Sequence, residues 1–285
     1  MLSDPRPDLP VRLVLGLAAL AWLLPGAVAG VRPGALIWND EFHQEPGTPP
    51  DPEKWVYDLG GGGWGNQELE TYVSDPANCQ VVRDELANDG YALAIRAIRT
   101  SHGITSARIK TKGLQSFIYG HFEARLRLTR GQGVWPAFWL LGDRVGQVGW
   151  PAGGEIDIME NIGSRPSNVY GTLHGPGYSG DHGIQQMHPL PGGVPYSRGY
   201  HIFAVDWAKD SITWSVDGQA YQTLTPASLP KGTKWVYNDA PFHLILNLAI
   251  GGGWPGNPDA TTALPQTLFV DYVRVRALPK GSATH

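Results

Sequence analysis

Almost every apolar segment after residue 30 of this chain repeats with the two-residue period of a β-strand, and amphipathic helical periodicity is nearly absent. The clearest case is 118–128, in which His121, Glu123 and Arg125 alternate with smaller or apolar residues. The 37 Gly and 24 Pro are scattered between such segments, a distribution typical of short strands joined by tight turns. Without a helix after each strand an α/β barrel is disfavoured, and two antiparallel sheets packed face to face are favoured.

The predicted strands cover most of the chain. They are 91–99, 107–111, 118–128, 134–141, 155–161, 168–173, 201–207, 212–216, 221–224, 242–250 and 267–276. Asp217-Gly218 predicts a hairpin, and Asp89-Gly90 predicts another turn. No Pro- or Ser/Gly-rich linker divides the chain, and 42% of its residues are hydrophobic, enough for a full core. We therefore predict one all-β domain over residues 30–285, with a frayed tail after Leu278.

The N-terminus has the pattern of a secretory signal peptide. Arg6 and Arg12 precede an uncharged apolar run, 13–24, which is short for a membrane span. Ala27 and Ala29 supply the small residues of a signal-peptidase site. We predict a signal peptide over residues 1–29 and secretion to the periplasm or the extracellular space; the alternative is an uncleaved N-terminal anchor.

The charge and cysteine content exclude several partners. The net charge is −4, only 17% of residues are charged, and no Lys/Arg-rich run occurs, so neither nucleic acid nor an anionic membrane is an expected partner. The single cysteine, Cys79, cannot form an intramolecular disulfide. It is expected to be a small buried residue rather than a reactive thiol.

The segment 154–160, GEIDIME, concentrates carboxylates on a predicted strand. Glu155 and Asp157 are two residues apart and therefore share a face, while Ile156 and Ile158 point to the core. Strict alternation would turn Glu160 inward too, at a cost of several kcal/mol for a buried unpaired charge. A β-bulge of one extra residue, at Ile158 or Met159, returns it to the acidic face.

Three acids on one face indicate either a catalytic site or a group of acids without a catalytic role. A solvated acidic edge and a calcium site are the alternatives, but the flanking residues are apolar and aromatic. Because three neighbouring carboxylates repel, at least one should keep its proton near neutrality. Such a group can donate a proton to a glycosidic oxygen.

Several motifs in order resemble glycoside hydrolase family 16, and within it the bacterial laminarinase-type endo-β-1,3-glucanases. The resemblance covers almost the whole chain after residue 30. The motifs are GWGNQEL at 63–69, GQGVWPAFW at 131–139, GEIDIME at 154–160, TLHGP at 172–176, NLA at 247–249, GGWPG at 252–256 and DYVRV at 271–275.

The resemblance implies a β-jelly-roll sandwich, concanavalin A-like, with a substrate cleft across its concave face. It implies that Glu155 is the nucleophile, Glu160 the acid/base and Asp157 the helper between them. The position of Glu160 matches the bulged form of the strand that is typical of laminarinases, whereas lichenases and xyloglucan-modifying enzymes have a shorter form. Catalysis in this family needs no cofactor.

Tryptophans near the acids are candidate sugar-binding residues. Trp135 and Trp139 share one face of their predicted strand, and the resemblance suggests that both indoles stack on pyranose faces. Both could instead be core residues. Trp254 lies in a Gly-rich loop, where a large aromatic ring has little core to join, so it too is a candidate for sugar binding.

Three polar residues complete the predicted subsites. Asn66 and Arg108 match family positions that contact the sugar on the non-reducing side of the cut; a turn cap or a surface ion pair are the alternatives. His174 follows the acids on the next strand and is expected to hydrogen-bond near Glu160, with a structural histidine as the alternative. The histidines do not have the spacing of zinc ligands.

Many family members carry a structural calcium ion far from the cleft. The matching positions here are Glu41, Gly90 and Asp271, which would offer mostly carbonyl oxygens. Asp271 could equally be an ordinary strand residue.

Within this family several functions remain open. Cleavage of laminarin-type β-1,3-glucan is the favoured activity, by a monomer. Mixed-linkage glucanase activity, another polysaccharide hydrolase and a non-catalytic glucan-binding protein are the alternatives. The last would be expected to have lost one of the acids, and all three are present.

Overall fold

A computed structural model describes Met1 and residues 34–238 and 240–278 of the chain. The predicted signal peptide, apart from Met1, and the predicted frayed tail lie outside these residues. None of the helices that are described is long and apolar enough to cross a membrane.

The described chain folds almost entirely into strands. They are β1 Leu36–Asp40, β2 Val56–Asp58, β3 Glu70–Tyr72, β4 Cys79–Arg83, β5 Tyr91–Thr100, β6 Gly103–Ser106, β7 Arg108–Lys110, β8 Gly120–Arg127, β9 Val134–Gly142, β10 Glu155–Glu160, β11 Asn168–His174, β12 Ile184–Pro189, β13 His201–Ala208, β14 Ser211–Val216, β15 Gln219–Leu224, β16 Phe242–Ile250 and β17 Gln266–Arg276. The helical segments are α1 Val145–Val148 and the short 3-10 turns Gly180–His182, Pro191–Gly193 and Pro226–Ser228.

The strands form two sheets that pack face to face. The ten-stranded sheet has the order β15-β14-β13-β8-β17-β5-β6-β3, with β1 added to β17 and β4 added to β5. The seven-stranded sheet has the order β12-β11-β10-β9-β16-β7-β2. All pairs are antiparallel except β3 with β6. The fold is the predicted jelly-roll sandwich.

The core lies between the sheets, where large apolar side chains from both meet. Phe122 and Trp207 of the ten-stranded sheet pack with Phe242 of the seven-stranded sheet, the last two rings 5.0 Å apart. In β8 the side chains alternate between buried and partly exposed, as predicted. Every residue of β16, by contrast, is buried. The seven-stranded sheet is therefore covered on both faces at β16.

The sequence predicted the long strands well and missed the short ones. Each predicted strand is present, with ends shifted by a few residues. The strands β1, β2, β3, β4, β6 and β12 were not predicted; most of them have three to five residues, too few to establish a two-residue period. The hairpin turn at Asp217-Gly218 is confirmed, with φ of 50° and 78° at the two residues, as a type I′ turn requires.

Candidate active site

The carboxylates lie on β10, and the predicted β-bulge is present in that strand. Asp157 pairs with Trp139 of β9, but the next pair joins Met159 to Phe138, so Ile158 is the extra residue. On the β11 side, Asp157 pairs with Thr172 and Glu160 with Tyr170. Three steps along β10 thus match only two along β11, so β10 again has one extra residue. The bulge places Glu155, Asp157 and Glu160 on the outer face of the seven-stranded sheet, while Ile156 and Ile158 are buried in the core.

The two glutamates are held by indole and hydroxyl donors. Trp150 Nε1 donates to Glu155 Oε2 at 3.0 Å. At Glu160, Trp135 Nε1 donates to Oε1 and the Thr172 hydroxyl donates to Oε2, both at 3.1 Å. Glu160 is only 8% exposed, so these two hydrogen bonds replace most of those that water would otherwise donate to it.

Asp157 lies between the glutamates and faces a histidine. His174 Nε2 is 3.2 Å from Asp157 Oδ2 and 3.9 Å from Glu155 Oε1. The expectation that His174 hydrogen-bonds near Glu160 was wrong, because the strand register sets His174 opposite Glu155 at the far end of the acidic row. Within β10 itself, the Asp157 carbonyl accepts a 2.8 Å bond from Trp214 Nε1 of the opposite sheet, which anchors the bulge.

Ligand atoms of Glu155, Asp157 and His174 all lie within 4.8 Å of one another, a grouping that also suits a metal ion. The indole N–H that points at Glu155 argues against a metal there, since a cation would repel the same hydrogen. The arrangement fits acid–base chemistry better.

The surroundings raise the pKa of all three acids. Burial is the main cause for each, and it raises the pKa of Asp157 to about 8. At Glu155 and Glu160 the negative charge of Asp157 adds to burial, and the pKa again rises to about 8. His174 acts in the opposite direction at both glutamates. The trio therefore keeps a proton at neutral pH.

The tryptophans predicted to bind sugar lie around the acids. Trp135 and Trp139 are on the acidic face and both are partly exposed, so neither is a core residue. The Trp254 ring lies 5.5 Å from that of Trp135 and 5.0 Å from that of Tyr170, edge to face in both contacts. These three rings form an aromatic wall beside Glu160. Contact of Trp135, Trp139 and Trp254 with sugar stays a prediction; Tyr170, only 6% exposed, was not among the predicted residues.

Arg108 lies on β7 beside Trp139, and Asn66 lies in the 63–69 loop, where its backbone carbonyl accepts a 2.9 Å bond from the N–H of Gly253, next to Trp254. The Arg108 guanidinium lies 4.8 Å from the ring centres of both Trp64 and Trp139. Its Nε is 2.9 Å from Asp58 Oδ2, so Arg108 also belongs to an ion pair, as the alternative interpretation required. The contacts with the two rings and the ion pair with Asp58 together fix the orientation of the Arg108 side chain near the edge of the sheet.

Asn66 is exposed and lies at one end of a hydrogen-bonded chain. Its Nδ2 donates to Glu68 Oε1 at 2.9 Å, and Glu68 Oε2 accepts a 3.0 Å bond from the Tyr72 hydroxyl. Asn247 Nδ2 donates to Tyr72 at 3.1 Å and accepts a 2.8 Å bond from Trp139 Nε1 at its own Oδ1. This chain links the exposed loop to the sheet residues beside the acids.

Sequence reasoning missed three residues that contact the acids or their partners: Trp150, Thr172 and Gln185. Trp150 is 48% exposed in the loop before β10, flanked by glycine and proline. The argument applied to Trp254, a large ring in a loop with no core to join, would have identified it. Thr172 and Gln185 carry no such signal, because their roles depend on strand register.

The residues of the predicted calcium site lie on the ten-stranded sheet and its loops, away from β10. Both carboxylate oxygens of Glu41 accept 2.8 Å bonds from Arg274. Asp271 pairs with Arg125 and accepts the Asn88 N–H at 3.3 Å. Carboxylates engaged by guanidinium groups do not suit Ca²⁺, which prefers an all-oxygen shell. The resemblance implies that these positions hold the ion mostly through carbonyl oxygens, and that implication stays a prediction.

The chain is similar to known proteins in both sequence and fold. The family described as "Glycosyl hydrolases family 16" matches residues 72–274. The chain is 42% identical over 252 residues to a beta-glucanase of Rhodothermus marinus, covering 84% of each. It is 38% identical over 264 residues to a glucan endo-1,3-beta-glucosidase of Cryptopygus antarcticus, covering 84% of this chain and 90% of that one. The solved structure of an endo-beta-1,3-glucanase from Pyrococcus furiosus superposes with a TM-score of 0.78, at 43% identity, over 86% of this chain and 94% of that one.

Proposed function

This chain belongs to glycosyl hydrolase family 16, and on that premise we propose that it is an endo-acting, retaining hydrolase of β-1,3-glucosidic bonds in laminarin-type glucans. The observation that carries the proposal is the bulge at Ile158, which returns Glu160 to the face of Glu155 and Asp157. A retaining mechanism needs two carboxyl groups on one face, one ionised and one protonated.

In the first step Glu160 donates its proton to the glycosidic oxygen while a Glu155 oxygen attacks the anomeric carbon. The C–O bond to the leaving sugar breaks and a glycosyl ester forms on Glu155. Burial and the neighbouring Asp157 favour the protonated form of Glu160 that this step needs. His174 and the Trp150 indole support the ionised form of Glu155.

In the second step Glu160 removes a proton from water, and the resulting hydroxide breaks the ester. Esterified Glu155 carries no charge, so Glu160 loses a negative neighbour and its pKa falls, which favours the base form. Asp157, between the two, holds His174 next to the nucleophile. Two displacements at the same carbon retain the anomeric configuration.

An endo-acting β-1,3-glucanase must bind a chain on both sides of the cut. Trp135, Trp254 and the Asn66 loop lie together at the Glu160 end of the acidic row, with Arg108 beside Trp139. The exposed Trp150 lies at the Glu155 end. Flat rings and directed amide and guanidinium donors are the groups that recognise apolar pyranose faces and sugar hydroxyls.

The test is reducing-end release from laminarin, barley mixed-linkage glucan and agarose by the wild type and its Glu155→Ala variant. We expect activity on laminarin that disappears in the variant, and products that remain long at early times. A wild type that binds laminarin but releases no reducing ends would support a glucan-binding protein instead. Faster release from mixed-linkage glucan would move the assignment to a lichenase-like enzyme.

The proposal also includes secretion, a monomeric state and a bound calcium ion. Export is supported by the sequence of residues 1–29, and N-terminal sequencing of the secreted protein should begin at Gly30. Calcium at Glu41, Gly90 and Asp271 would raise the midpoint of thermal unfolding, and a chelator would lower it. A midpoint of thermal unfolding that does not change in the presence of a chelator would show that no calcium ion stabilises the fold.

A further inference from the structure

The acid/base carboxyl is connected to the edge of its sheet through a chain of two hydrogen bonds. Gln185 Nε2, on the exposed strand β12, donates to Thr172 Oγ1 at 3.2 Å. The Thr172 hydroxyl in turn donates to Glu160 Oε2 at 3.1 Å. Thr172 is 1% exposed and lies directly opposite Gln185 in the strand register, so neither contact depends on a loop.

The direction of this chain follows from the donors available. A threonine hydroxyl has one hydrogen, and a carboxylate can only accept. If the amide of Gln185 donates to Thr172, the hydroxyl hydrogen is left to point at Glu160. With the amide turned over, the Gln185 oxygen would compete for that hydrogen, and Glu160 would lose a donor. The orientation of the Gln185 amide therefore determines whether Glu160 accepts a hydrogen bond from Thr172.

Thr172 differs from the other donor at Glu160 in its location. Trp135 donates to Oε1 from the partly exposed wall where sugar is expected, so its bond is subject to rearrangement when substrate enters. Thr172 reaches Oε2 from a buried strand position. It is therefore the donor that stays in place through both halves of the reaction.

We propose that Thr172, oriented by Gln185, is a positioning residue that supplies the hydrogen bond through which Glu160 becomes an effective base in the second displacement. The proposal rests on the proposed double displacement. A bond donated to a carboxylate stabilises its ionised form. Burial and the charge of Asp157 favour the protonated form of Glu160, which the first step needs. The hydrogen bond from Thr172 favours its ionised form, which the second step needs.

Other groups around Glu160 also influence its ionisation, and the design leaves them unchanged. They are Glu155 and Asp157 on the same strand, His174 on β11, Trp135 on β9 and Tyr221 on β15. Thr172→Val keeps the shape of the side chain and removes only the hydroxyl. Thr172→Ser keeps the hydroxyl and is the matched control. Gln185→Leu, at an exposed edge position, carries little risk to folding.

The experiment compares these variants on laminarin and on an aryl β-laminaribioside with a dinitrophenolate leaving group, with and without azide. Dinitrophenolate leaves without acid help, so the second displacement limits the rate. For Thr172→Val we expect a roughly ten-fold lower kcat on the aryl substrate, restored by azide, which attacks without a base. The basic limb of kcat/KM should move up by about one pH unit, because the bond to the ionised form is lost.

Gln185→Leu should change the same quantities in the same direction by a smaller factor, and Thr172→Ser should match the wild type. If Thr172→Val and Gln185→Leu both keep the pH profile and the aryl-substrate kcat of Thr172→Ser, the inference is wrong. If Thr172→Val does not fold, Gln185→Leu alone decides. An inactive wild type would instead overturn the proposed function, so the two failures are distinguishable.

Discussion

Three carboxylates of the ten-stranded sheet and the three carboxylates of β10 lie in opposite surroundings. On the ten-stranded sheet and its adjoining loops three acids pair with arginines: Glu41 with Arg274, Asp84 with Arg127 and Asp271 with Arg125. On the seven-stranded sheet, Glu155, Asp157 and Glu160 have no arginine or lysine partner among the described residues. Their only basic neighbour there is His174.

Pairing with arginine lowers the pKa of Glu41 and Asp84 but not that of Asp271, where burial outweighs Arg125 and the pKa is raised. At Glu41 and Asp84 burial acts to raise the pKa, but hydrogen bonds and charge from the arginines outweigh it, and the pKa is lowered. At β10 burial acts without an arginine, and the pKa of each acid rises to about 8. A carboxyl group is thus a structural anion at Glu41 and Asp84 and a proton carrier on β10.

The largest expected effect comes from removing the nucleophile. Glu155→Ala should lower kcat on laminarin by about 10⁴-fold or more, because no glycosyl ester can form. Glu41→Gln is the matched change on the other sheet and should leave kcat unchanged. Initial rates at saturating laminarin measure both. Equal loss in the two variants would mean that the sheets do not differ in the way described.

Removing the proton carrier should have the next largest effect. Glu160→Gln keeps the volume of the side chain but cannot transfer a proton to the glycosidic oxygen. We expect kcat on laminarin to fall by about 10²–10⁴-fold, the usual contribution of a general acid–base group. Bond breaking with an activated aryl leaving group should be much less affected, as a burst of aryl release in rapid mixing would reveal. Equal losses with both leaving groups would argue against Glu160 as the acid.

Breaking a pair on the ten-stranded sheet should affect stability and not catalysis. Arg125→Met leaves Asp271, which is almost fully buried, without its cation. We expect a loss of about 3 kcal/mol in the free energy of unfolding, typical of a buried ion left unpaired. Denaturant titration measures the loss, and Asp271→Asn in the same chain should recover part of it. A drop in kcat of the folded variant would contradict the division between the sheets.

The smallest expected effect is on the pH dependence of stability. A carboxyl whose folded pKa is raised binds more protons folded than unfolded, so it destabilises the fold increasingly as pH rises from about 4 to about 8. Asp157→Asn removes this contribution and should raise the free energy of unfolding at pH 8 by about 1–2 kcal/mol, with little change at pH 4. That corresponds to an unfolding midpoint higher by several degrees. The same gain at both pH values would show that Asp157 is not held protonated.

The sequence predicted the feature of the site that depends on one strand alone. The bulge followed from the cost of turning Glu160 into the core with Ile156 and Ile158, and Ile158 is the residue that bulges. The long strands and the Asp217-Gly218 hairpin followed from period and turn chemistry in the same way.

What the sequence could not predict depends on register between segments far apart in the chain. His174 was expected near Glu160, but the pairing of β10 with β11 sets it opposite Glu155. The contact of Gln185 with Thr172 requires that β12 add to β11 in one register, and β12 was not predicted as a strand. Apolar alternation tells which face a residue occupies, but not which residue of the next strand lies beside it.

The most direct test of the contrast between the sheets is a carboxyl ¹³C NMR titration of the protein labelled at Asp and Glu, with Glu155→Gln, Asp157→Asn, Glu160→Gln and Glu41→Gln to assign the signals. We predict that signals from β10 titrate above pH 6 and that the Glu41 signal titrates below the usual range of a glutamate. If every carboxyl group, including those on β10, has titrated by pH 5, the three acids hold no proton at neutrality and the account of their chemistry is wrong.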